Sequence, residues 1–266
     1  MNSRAAPTAL HPFTNGRPPH LPCGPGDICE DVLVPGDPDR VTLLARMLDG
    51  VTDFGRRREF AVVSGRYNGH PLTICSSGIG GPSTEIALVE LAMLGAKRVI
   101  RIGGMSALLK DIPTGSYVVA DKAIGMSGVA PLYWTAADEL RSDPGLCSAL
   151  FAAARDKGLA VRTGMIATSD SYYLGQDRPV PSVDDLETSF LDRFRSRGAI
   201  GIDMESQVIL AVSQRIGLKA ACVLGVHGNR ATDDWLVDYE PTQRNLLHIA
   251  GNALIRIQSE TSKEKE

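Results

Sequence analysis

Residues that could bind an anion are concentrated between positions 77 and 106, SGIGGPSTEIALVELAMLGAKRVIRIGGMS. Glycines near the start of this segment could expose backbone N–H groups, and Pro82 stands where the first turn of a helix accepts proline. Arg101 lies within the apolar run RVIRI, where a guanidinium is unfavourable without a counter-anion. This combination predicts an oxyanion site, and a tight turn with a core ion pair is the alternative that the segment leaves open.

Two other segments carry arginines that could join an anion site. In VLVPGDPDR, residues 32–40, an apolar strand ends before a predicted helix start, whose backbone amides favour an anion and where Arg40 would add a fork of donors. An Asp-Pro turn with a solvated arginine is the alternative. Arg56, Arg57 and Arg58 share a predicted turn, where charge runs usually face water but one side chain could reach an anion.

The segment TSDSYYLGQDR, residues 168–178, carries groups suited to a flat heterocycle. Gln176 and Arg178 offer donors and an acceptor in a plane, as needed to read an imide edge. Tyr172 could stack on the face of such a ring. Loop packing ahead of two prolines is the alternative interpretation.

An acid and a histidine complete the candidate chemistry. Glu205, at a predicted helix start, could accept two hydrogen bonds from a sugar diol, although acids at helix starts are also favoured by the macrodipole alone. His227 ends an apolar strand, at the edge where α/β sheets place their ligands. Structural or solvated positions are the simpler interpretation, by pattern alone, for His20, His70 and His248.

The elements that must position these side chains follow from apolar segments of strand and helix length, which alternate between Asp31 and about Ile257. No linker composition divides them, so the pattern predicts a single α/β domain over residues 20–258. Residues 1–19 are poor in aliphatic side chains and predict a mobile N-terminal arm, and the polar residues 259–266 predict a disordered tail.

Composition narrows the class of protein. The chain has 266 residues, a formal net charge of −3 and no long Lys/Arg run, which argues against binding nucleic acid or a membrane surface and favours small-molecule ligands. Five cysteines form no C-x-x-C pair, as is typical of free thiols in a reducing compartment, and no metal-ligand cluster is expected. Without an apolar run of about 20 residues or a hydrophobic signal core, the sequence predicts a cytoplasmic protein.

Six motifs in order resemble the nucleoside phosphorylase family I, and most closely its uridine phosphorylases: GDPDR, RREF, SSGIGGPSTEIALVELAMLGAKRVIRIG, SDSYYLGQDR, DMES and GVHGNR. The resemblance implies a single-domain, three-layer α/β fold with a central mixed, partly barrel-like sheet flanked by helices. It also implies a homohexamer built from dimers that share active sites. No cofactor is required in this family, inorganic phosphate is the co-substrate, and some members hold a monovalent cation between subunits, near the positions of Glu59, Ile79 and Ser83.

Carried over motif by motif, the resemblance assigns each part of the substrates to named positions. The phosphate positions are Gly36, Arg40, Arg101 and, from a neighbouring subunit, Arg58. The ribose positions are Met204, Glu205 and, across the same interface, His20. The base positions are Tyr172, Gln176, Arg178, His227 and Arg230. The implied reaction is attack of phosphate on a pyrimidine nucleoside, giving free base and (deoxy)ribose 1-phosphate. Arg101, Glu205 and Arg178 are its expected catalytic residues.

Two places depart from the family pattern. Uridine phosphorylases follow Arg-Ile-Gly with Thr-Ser/Thr/Cys-Gly, whose first hydroxyl bridges phosphate and ribose, whereas this chain has Gly104, Met105 and Ser106. Losing one hydrogen bond to a charged group costs about 1.5–3 kcal/mol, and Ser106 is the candidate replacement. His227 stands where an aliphatic residue usually lines the base pocket, which predicts a preference for a polar or modified pyrimidine. Gly228 replaces the aspartate of the purine enzymes, as in uridine phosphorylases.

Three functions are therefore compared. Phosphorolysis of uridine or a related pyrimidine nucleoside is the leading hypothesis, because the arginine positions are kept. A nucleoside hydrolase or a specialised biosynthetic enzyme on the same scaffold is the second, motivated by the altered turn at residues 104–106. A non-catalytic nucleoside-binding protein is the third. Dependence of base release on phosphate separates them.

Overall fold

The computed structural model describes residues 7–134, 140–183 and 189–263. Within these residues the strands are β1 (Asp31–Val34), β2 (Asp49–Arg57), β3 (Phe60–Tyr67), β4 (His70–Cys75), β5 (Arg98–Ala107), β6 (Tyr117–Gly125), β7 (Leu140–Arg141), β8 (Val161–Thr168), β9 (Ala199–Asp203), β10 (Lys219–Asn229) and β11 (Asp234–Trp235). The helices are α1 (Pro38–Ala45), α2 (Gly81–Met93), α3 (Ala130–Tyr133), α4 (Pro144–Asp156), α5 (Phe190–Ser196), α6 (Ser206–Ile216) and α7 (Glu240–Lys263), with a short 3-10 helix at Leu174–Gln176.

The strands form one mixed sheet that closes partly on itself. Strands β10, β6, β8, β9 and β5 are neighbours in that order, and β5 pairs again with β10, which closes a five-stranded barrel. From β5 the sheet continues outward through β1, β4 and β3 to β2. The predicted central, mixed and partly barrel-like sheet is thereby confirmed.

Helices cover this sheet on two sides. Helices α2 and α6 pack together on one side, and α4 and α7 pack together on the other. Leu88 and Val208 lie in the apolar cluster of the first side, and Leu150 and Leu247 lie in that of the second. The predicted three-layer arrangement is confirmed. None of the described helices is long and apolar enough to span a membrane.

Three parallel strands bring the candidate residues to one edge of the sheet. Strands β1 and β10 both pair in parallel with β5, so that Val34 and Cys222 stand on either side of Arg101. Helix α1 follows β1 with Pro38 in its first turn, and the Asp37 side chain caps it by accepting from the Asp39 N–H. The carboxyl ends of these strands therefore meet at the edge where α/β sheets bind ligands.

The two ends of the chain differ from the domain between them. Helix α7 continues to Lys263, so residues 259–263 of the predicted disordered tail are helical instead. Glutamate and lysine are good helix formers, and extending an already packed helix needs no new nucleation. The rest of the tail and residues 1–6 of the predicted arm lie outside the described residues. Residues 7–19 are mostly exposed, and the mobility of the arm stays a prediction.

A buried polar cluster joins β1, β4 and β5 at the opposite end from the candidate residues. Asp31 accepts a hydrogen bond from Arg98 at 2.8 Å, lies 2.8 Å from His70 Nε2, and His70 Nδ1 lies 2.7 Å from Gln258. Burial alone would raise the Asp31 pKa, but His70 and Arg98 hold it below its ordinary value. The bond to Asp31 raises the pKa of His70 above its ordinary value.

Replacing His70 should therefore destabilise the protein more in acid than in alkaline buffer. Because its folded pKa exceeds the unfolded value of about 6.5, protonation of His70 stabilises the fold below about pH 6.5 and ceases to do so as pH rises through the folded pKa. Urea unfolding of wild type and His70→Gln at about pH 6 and about pH 8.5 measures the difference. A free-energy gap independent of pH would contradict this assignment.

Candidate active site

A cavity of about 760 Å³ opens at the shared edge of β1, β5 and β10. Its volume is within the range of small-molecule sites. Of the residues that the sequence assigned to a site, those in its wall are Gly36, Arg40, Arg101, Tyr172, Gln176, Arg178, Met204, Glu205 and His227. Distant segments of the chain thus converge on one cavity, as the motif order implied.

Arg101 forms the floor of the cavity. Its side chain is 3% exposed, its Nε donates to Asp203 at 3.0 Å, and one terminal nitrogen lies 2.6 Å from Glu205. Burial alone would lower the Arg101 pKa, but the charges of Glu205 and Asp203 raise it above its ordinary value. Both sequence interpretations hold, because the guanidinium forms a core ion pair and also lines the cavity.

Arg40, on α1, lines the same cavity and brings a second guanidinium near Arg101. Its Nε is buried and makes no hydrogen bond within the described residues. Burial and the positive charge of Arg101 lower the pKa of Arg40 below its ordinary value. A buried donor without an acceptor, next to a like charge, is unfavourable unless an anion binds between the two guanidiniums. This end of the cavity is therefore built for an anion.

The glycine-rich turns shape this end of the cavity, but the backbone amides of Gly78 and Gly80 already donate to other protein groups. The Gly78 N–H donates to the Gly36 carbonyl at 2.9 Å, and the Gly80 N–H donates to Glu205 at 2.7 Å. Backbone amides expected to face an oxyanion are thus already engaged. Gly80 sits at φ 85 as the N-cap of α2, a conformation that glycine adopts without strain.

Glu205 is fixed between two elements. Its Oε1 accepts from Gly80 at the start of α2, and its Oε2 pairs with Arg101 on β5. Burial raises the pKa of Glu205, whereas the charge of Arg101 opposes that rise. Met204 lies beside it in the cavity wall. A carboxylate so held has little freedom to rotate and still presents lone pairs to a ligand hydroxyl.

Asp203 is a site residue to which the sequence argument gave no role. It is buried beneath Arg101 and also accepts from the hydroxyls of Thr168, at 2.8 Å, and Ser206, at 2.6 Å. It therefore fixes the orientation of the guanidinium. The only sequence signal for it is its place two residues before Glu205. Arg56, one of the three arginines that the sequence offered for an anion, also lines the cavity. So do Ile86 and Trp235, which the sequence did not single out.

The other end of the cavity carries the planar groups predicted for a heterocycle. Gln176 is 3% exposed, and its Oε1 accepts from Arg178 at 2.7 Å. The Arg178 guanidinium also donates to the Tyr172 carbonyl and lies 3.8 Å from the centroid of the Tyr172 ring, which is 40% exposed. Burial lowers the pKa of Arg178 below its ordinary value. These contacts align an amide and a guanidinium at the cavity wall.

Arg230 lies behind these planar groups and outside the cavity wall. It donates to the Asp177 carbonyl at 3.1 Å, between Gln176 and Arg178. Asp177 has φ 49 and caps α5 by accepting from the backbone of Phe190 and Leu191. The structure therefore gives Arg230 contact with the loop that carries the planar groups.

Residues 104–106, which the sequence analysis treated as an altered turn, are instead part of β5, because the strand continues beside β10 as far as Ala107. Met105 points toward β9. The methyl carbon of Met105 lies 2.1 Å from the position that a Cβ on Gly201 would occupy. Ser106 lines the cavity with its hydroxyl facing Gly228. His227 lines the same cavity and lies over Gly104, where the charges of Arg40 and Arg101 act on its ring.

Like Arg230, His20 and Arg58 do not line the cavity of their own chain. His20 Nδ1 lies 2.7 Å from Glu90 on α2, and Arg58 is exposed in the turn between β2 and β3 with φ 54. Both are positions for which the resemblance implied supply across a subunit interface. Their placement within one chain leaves that expectation as a prediction.

The positions noted for a monovalent cation lie together near the cavity. Glu59, Ile79 and Ser83 all line it, and the Ser83 hydroxyl donates to the Ile79 carbonyl at 3.1 Å. A carboxylate, a carbonyl and a hydroxyl are the oxygen ligands that hard cations take. The residues present fit such an ion.

The cavity brings together groups suited to three different parts of a ligand. Paired arginines at one end suit an oxyanion, the fixed Glu205 carboxylate suits a sugar diol, and Gln176 with Arg178 suits a planar heterocycle. A ligand with those three parts, an anion, a sugar and a base, fits the arrangement.

Comparison with known proteins gives the same family as the motifs. The model of the phosphorylase superfamily matches residues 30–254. A uridine phosphorylase of Thermococcus kodakarensis is 33% identical over 93% of this chain and 88% of that protein. A guanosine phosphorylase of Halorubrum lacusprofundi is 32% identical over 79% of this chain and 83% of that protein.

A solved structure agrees in fold. The crystal structure of purine nucleoside phosphorylase from Toxoplasma gondii in complex with immucillin-H has a TM-score of 0.81 to this chain, with 27% sequence identity, and covers 91% of this chain and 96% of that one. The match of fold, cavity and family model leads to one conclusion: this chain belongs to the phosphorylase superfamily, in the nucleoside phosphorylase family close to the uridine phosphorylases.

Proposed function

We propose that this protein is a pentosyltransferase that cleaves uridine or a related pyrimidine nucleoside with inorganic phosphate, giving free base and (deoxy)ribose 1-phosphate. The observation that carries the proposal is one cavity lined by Arg40, Arg101, Gln176 and Arg178. The buried Nε of Arg40 has no hydrogen-bond partner among the described residues, and Arg178 donates to Gln176. The family of the chain supports the phosphorolytic chemistry.

Phosphate binds between Arg40 and Arg101. There it relieves the repulsion between the guanidiniums and satisfies the buried Nε of Arg40. Held in this way it lies beneath the sugar as both nucleophile and counter-charge. Cleavage of an N-glycosidic bond builds positive charge on the sugar, so a fixed anion at that position stabilises the transition state.

Glu205 positions the sugar. Its carboxylate, held by Gly80 and Arg101, accepts hydrogen bonds from ribose hydroxyls, as the resemblance implied. Because Arg101 contacts both this carboxylate and the phosphate site, one guanidinium sets the distance between nucleophile and sugar. Such positioning supplies much of the rate enhancement in reactions of this kind.

The base end favours an imide. An amide and a guanidinium together provide N–H donors for two carbonyl oxygens and an acceptor for the N–H between them. Negative charge that develops on the departing base is stabilised by Arg178. Gly228 offers no acid to protonate that base, which suits a pyrimidine whose carbonyl oxygens carry the charge.

The same proposal includes shared sites. His20 and Arg58 lie outside the cavity of their own chain, at positions that the resemblance assigns to a neighbouring subunit. In this scheme a dimer is the smallest complete enzyme, and Arg58 adds a third guanidinium to the phosphate.

A substrate panel tests the proposal. Base release should be measured from uridine, thymidine, cytidine, inosine and guanosine, each with and without phosphate, together with the sugar product. We expect the imide bases uracil and thymine to be released only with phosphate, and the purine nucleosides to react at least about 100-fold more slowly, because their edges leave buried donors unpaired. The active species should sediment as at least a dimer.

Different results would redirect the assignment. Faster release from guanosine or inosine would overturn the pyrimidine specificity. Equal release without phosphate, with ribose as the product, would establish the hydrolase that the altered Gly104 turn suggested. Full activity of a monomer would contradict the shared site, and tight nucleoside binding without turnover would identify a binding protein.

A further inference from the structure

His227 fills the space of a side chain at position 104. An ideal Cβ on Gly104 would lie 2.4 Å from Nδ1 of His227 and 2.6 Å from its Cε1. Real Cβ atoms do not approach other atoms so closely, so this ring position and a larger residue at position 104 exclude each other. The observed position of the His227 ring therefore requires glycine at position 104.

Gln243 on α7 contacts one ring nitrogen of His227, and this contact favours one tautomer of the ring. Its Nε2 lies 2.8 Å from the Nε2 of Gln243, a residue that is 2% exposed. With the Gln243 amide nitrogen assigned to this contact, that nitrogen donates, the imidazole Nε2 accepts, and the neutral ring carries its proton on Nδ1. Tyr239 stacks on the ring at 4.9 Å between centroids, which fixes its plane.

His227 lines the cavity, its Nδ1 faces Gly104, and the charges of Arg40 and Arg101 act on its ring. Within the described residues no hydrogen-bond partner is found for Nδ1. Burial and the charges of Arg40 and Arg101 lower the pKa of His227 to about 4, so the ring is neutral near pH 7. A neutral N–H donor beside two guanidiniums is complementary to an anion bound between them.

We propose that the Nδ1–H of His227 donates a hydrogen bond to an oxygen of the phosphate bound between Arg40 and Arg101, in place of the hydroxyl that related enzymes carry at position 104. The proposal rests on phosphate as the co-substrate of the proposed function. It places His227 at the nucleophile and removes it from the base pocket. Gln243 is then a positioning residue, because it acts through the ring of His227.

Calorimetry with inorganic phosphate alone tests this role. His227→Phe keeps an aromatic ring under Tyr239 and removes the donor, so its Kd for phosphate should rise about 10- to 100-fold, the range expected for one hydrogen bond to a charged group. The KM for nucleoside should change far less than the KM for phosphate. His248→Phe, on α7 and bonded to Tyr67 outside the cavity wall, is the matched control and should bind phosphate normally.

A pair of compensating substitutions separates loss of the hydrogen-bond donor from general destabilisation of the protein. Gly104→Ser alone should weaken phosphate binding, because its Cβ collides with the ring of His227. In the His227→Ala background the same serine has room for its hydroxyl, and binding should recover at least about 5-fold relative to His227→Ala.

The outcomes separate this inference from the proposed function. Unchanged phosphate affinity in His227→Phe, or no recovery in the double variant, would overturn the inference while leaving phosphorolysis intact. A change confined to the nucleoside KM would return His227 to the base pocket. Normal phosphate binding with a purine as the preferred substrate would overturn the pyrimidine specificity alone. Absence of phosphate binding by the wild type would overturn both.

Discussion

Arg40→Met should raise the KM for phosphate by at least about 100-fold and leave the ligand-free protein as stable as the wild type, or more stable. A guanidinium gives phosphate two charge-assisted hydrogen bonds, and methionine gives none. In the absence of the anion, however, the Arg40 side chain has a buried Nε without a partner and a lowered pKa. Its charge therefore opposes folding until an anion binds, and methionine keeps the apolar stem without that charge.

The measurement pairs phosphate kinetics with thermal unfolding. Phosphate should raise the Tm of the wild type, as any ligand of the native state does, and should raise that of Arg40→Met much less. Arg46→Met, on an exposed position just after α1, is the matched control and should keep both the KM and the phosphate response. A variant that loses stability but keeps its KM would show that Arg40 is structural.

Glu205→Gln should lower kcat/KM for the nucleoside by about 1,000-fold while phosphate binding persists. Both oxygens of this carboxylate accept hydrogen bonds, one from Gly80 and one from Arg101. An amide of the same shape must turn its NH₂ toward one of those donors. The substitution thus removes a charge-assisted bond, leaves a buried donor unpaired and takes an acceptor away from the sugar.

Steady-state kinetics and phosphate calorimetry on the same preparation separate the two effects. Phosphate affinity should be unchanged or tighter in Glu205→Gln, because Arg101 loses part of its neutralisation. Glu30→Gln, an exposed acid before β1, should behave as the wild type in both measurements. Loss of phosphate binding together with turnover would instead show that Glu205 holds Arg101 in place and does little else.

The layered fold followed from local patterns in the sequence. Buried β1 contains the apolar run VLV, residues 32–34, and α2 begins where Pro82 follows the glycines. Patterns of this kind depend on neighbours within a few residues, so they survive without knowledge of the rest of the chain. The barrel closure did not follow from them and came from the resemblance, because pairing of β5 with β10 joins segments far apart in sequence. The prediction of a disordered tail was wrong for residues 259–263, because α7 continues through them to Lys263.

By itself, the sequence determined the family, the alternation of strand and helix segments in one α/β domain, and the residue types of an anion, sugar and base site. It marked Arg101 as unusual because a charge in an apolar strand is unfavourable wherever that strand lies. Only the tertiary structure decided which residues these side chains contact. Arg101 donates to Asp203, and Glu205 accepts from Gly80, which is 125 residues away in the sequence.

The same is true of His227, which the motifs assigned to the base and the fold places over Gly104 beside the arginines. Hydrogen bonds and charge interactions act over a few ångströms in space. Their partners are therefore fixed only when β5, β10 and the ends of α1 and α7 are brought to one edge of the sheet.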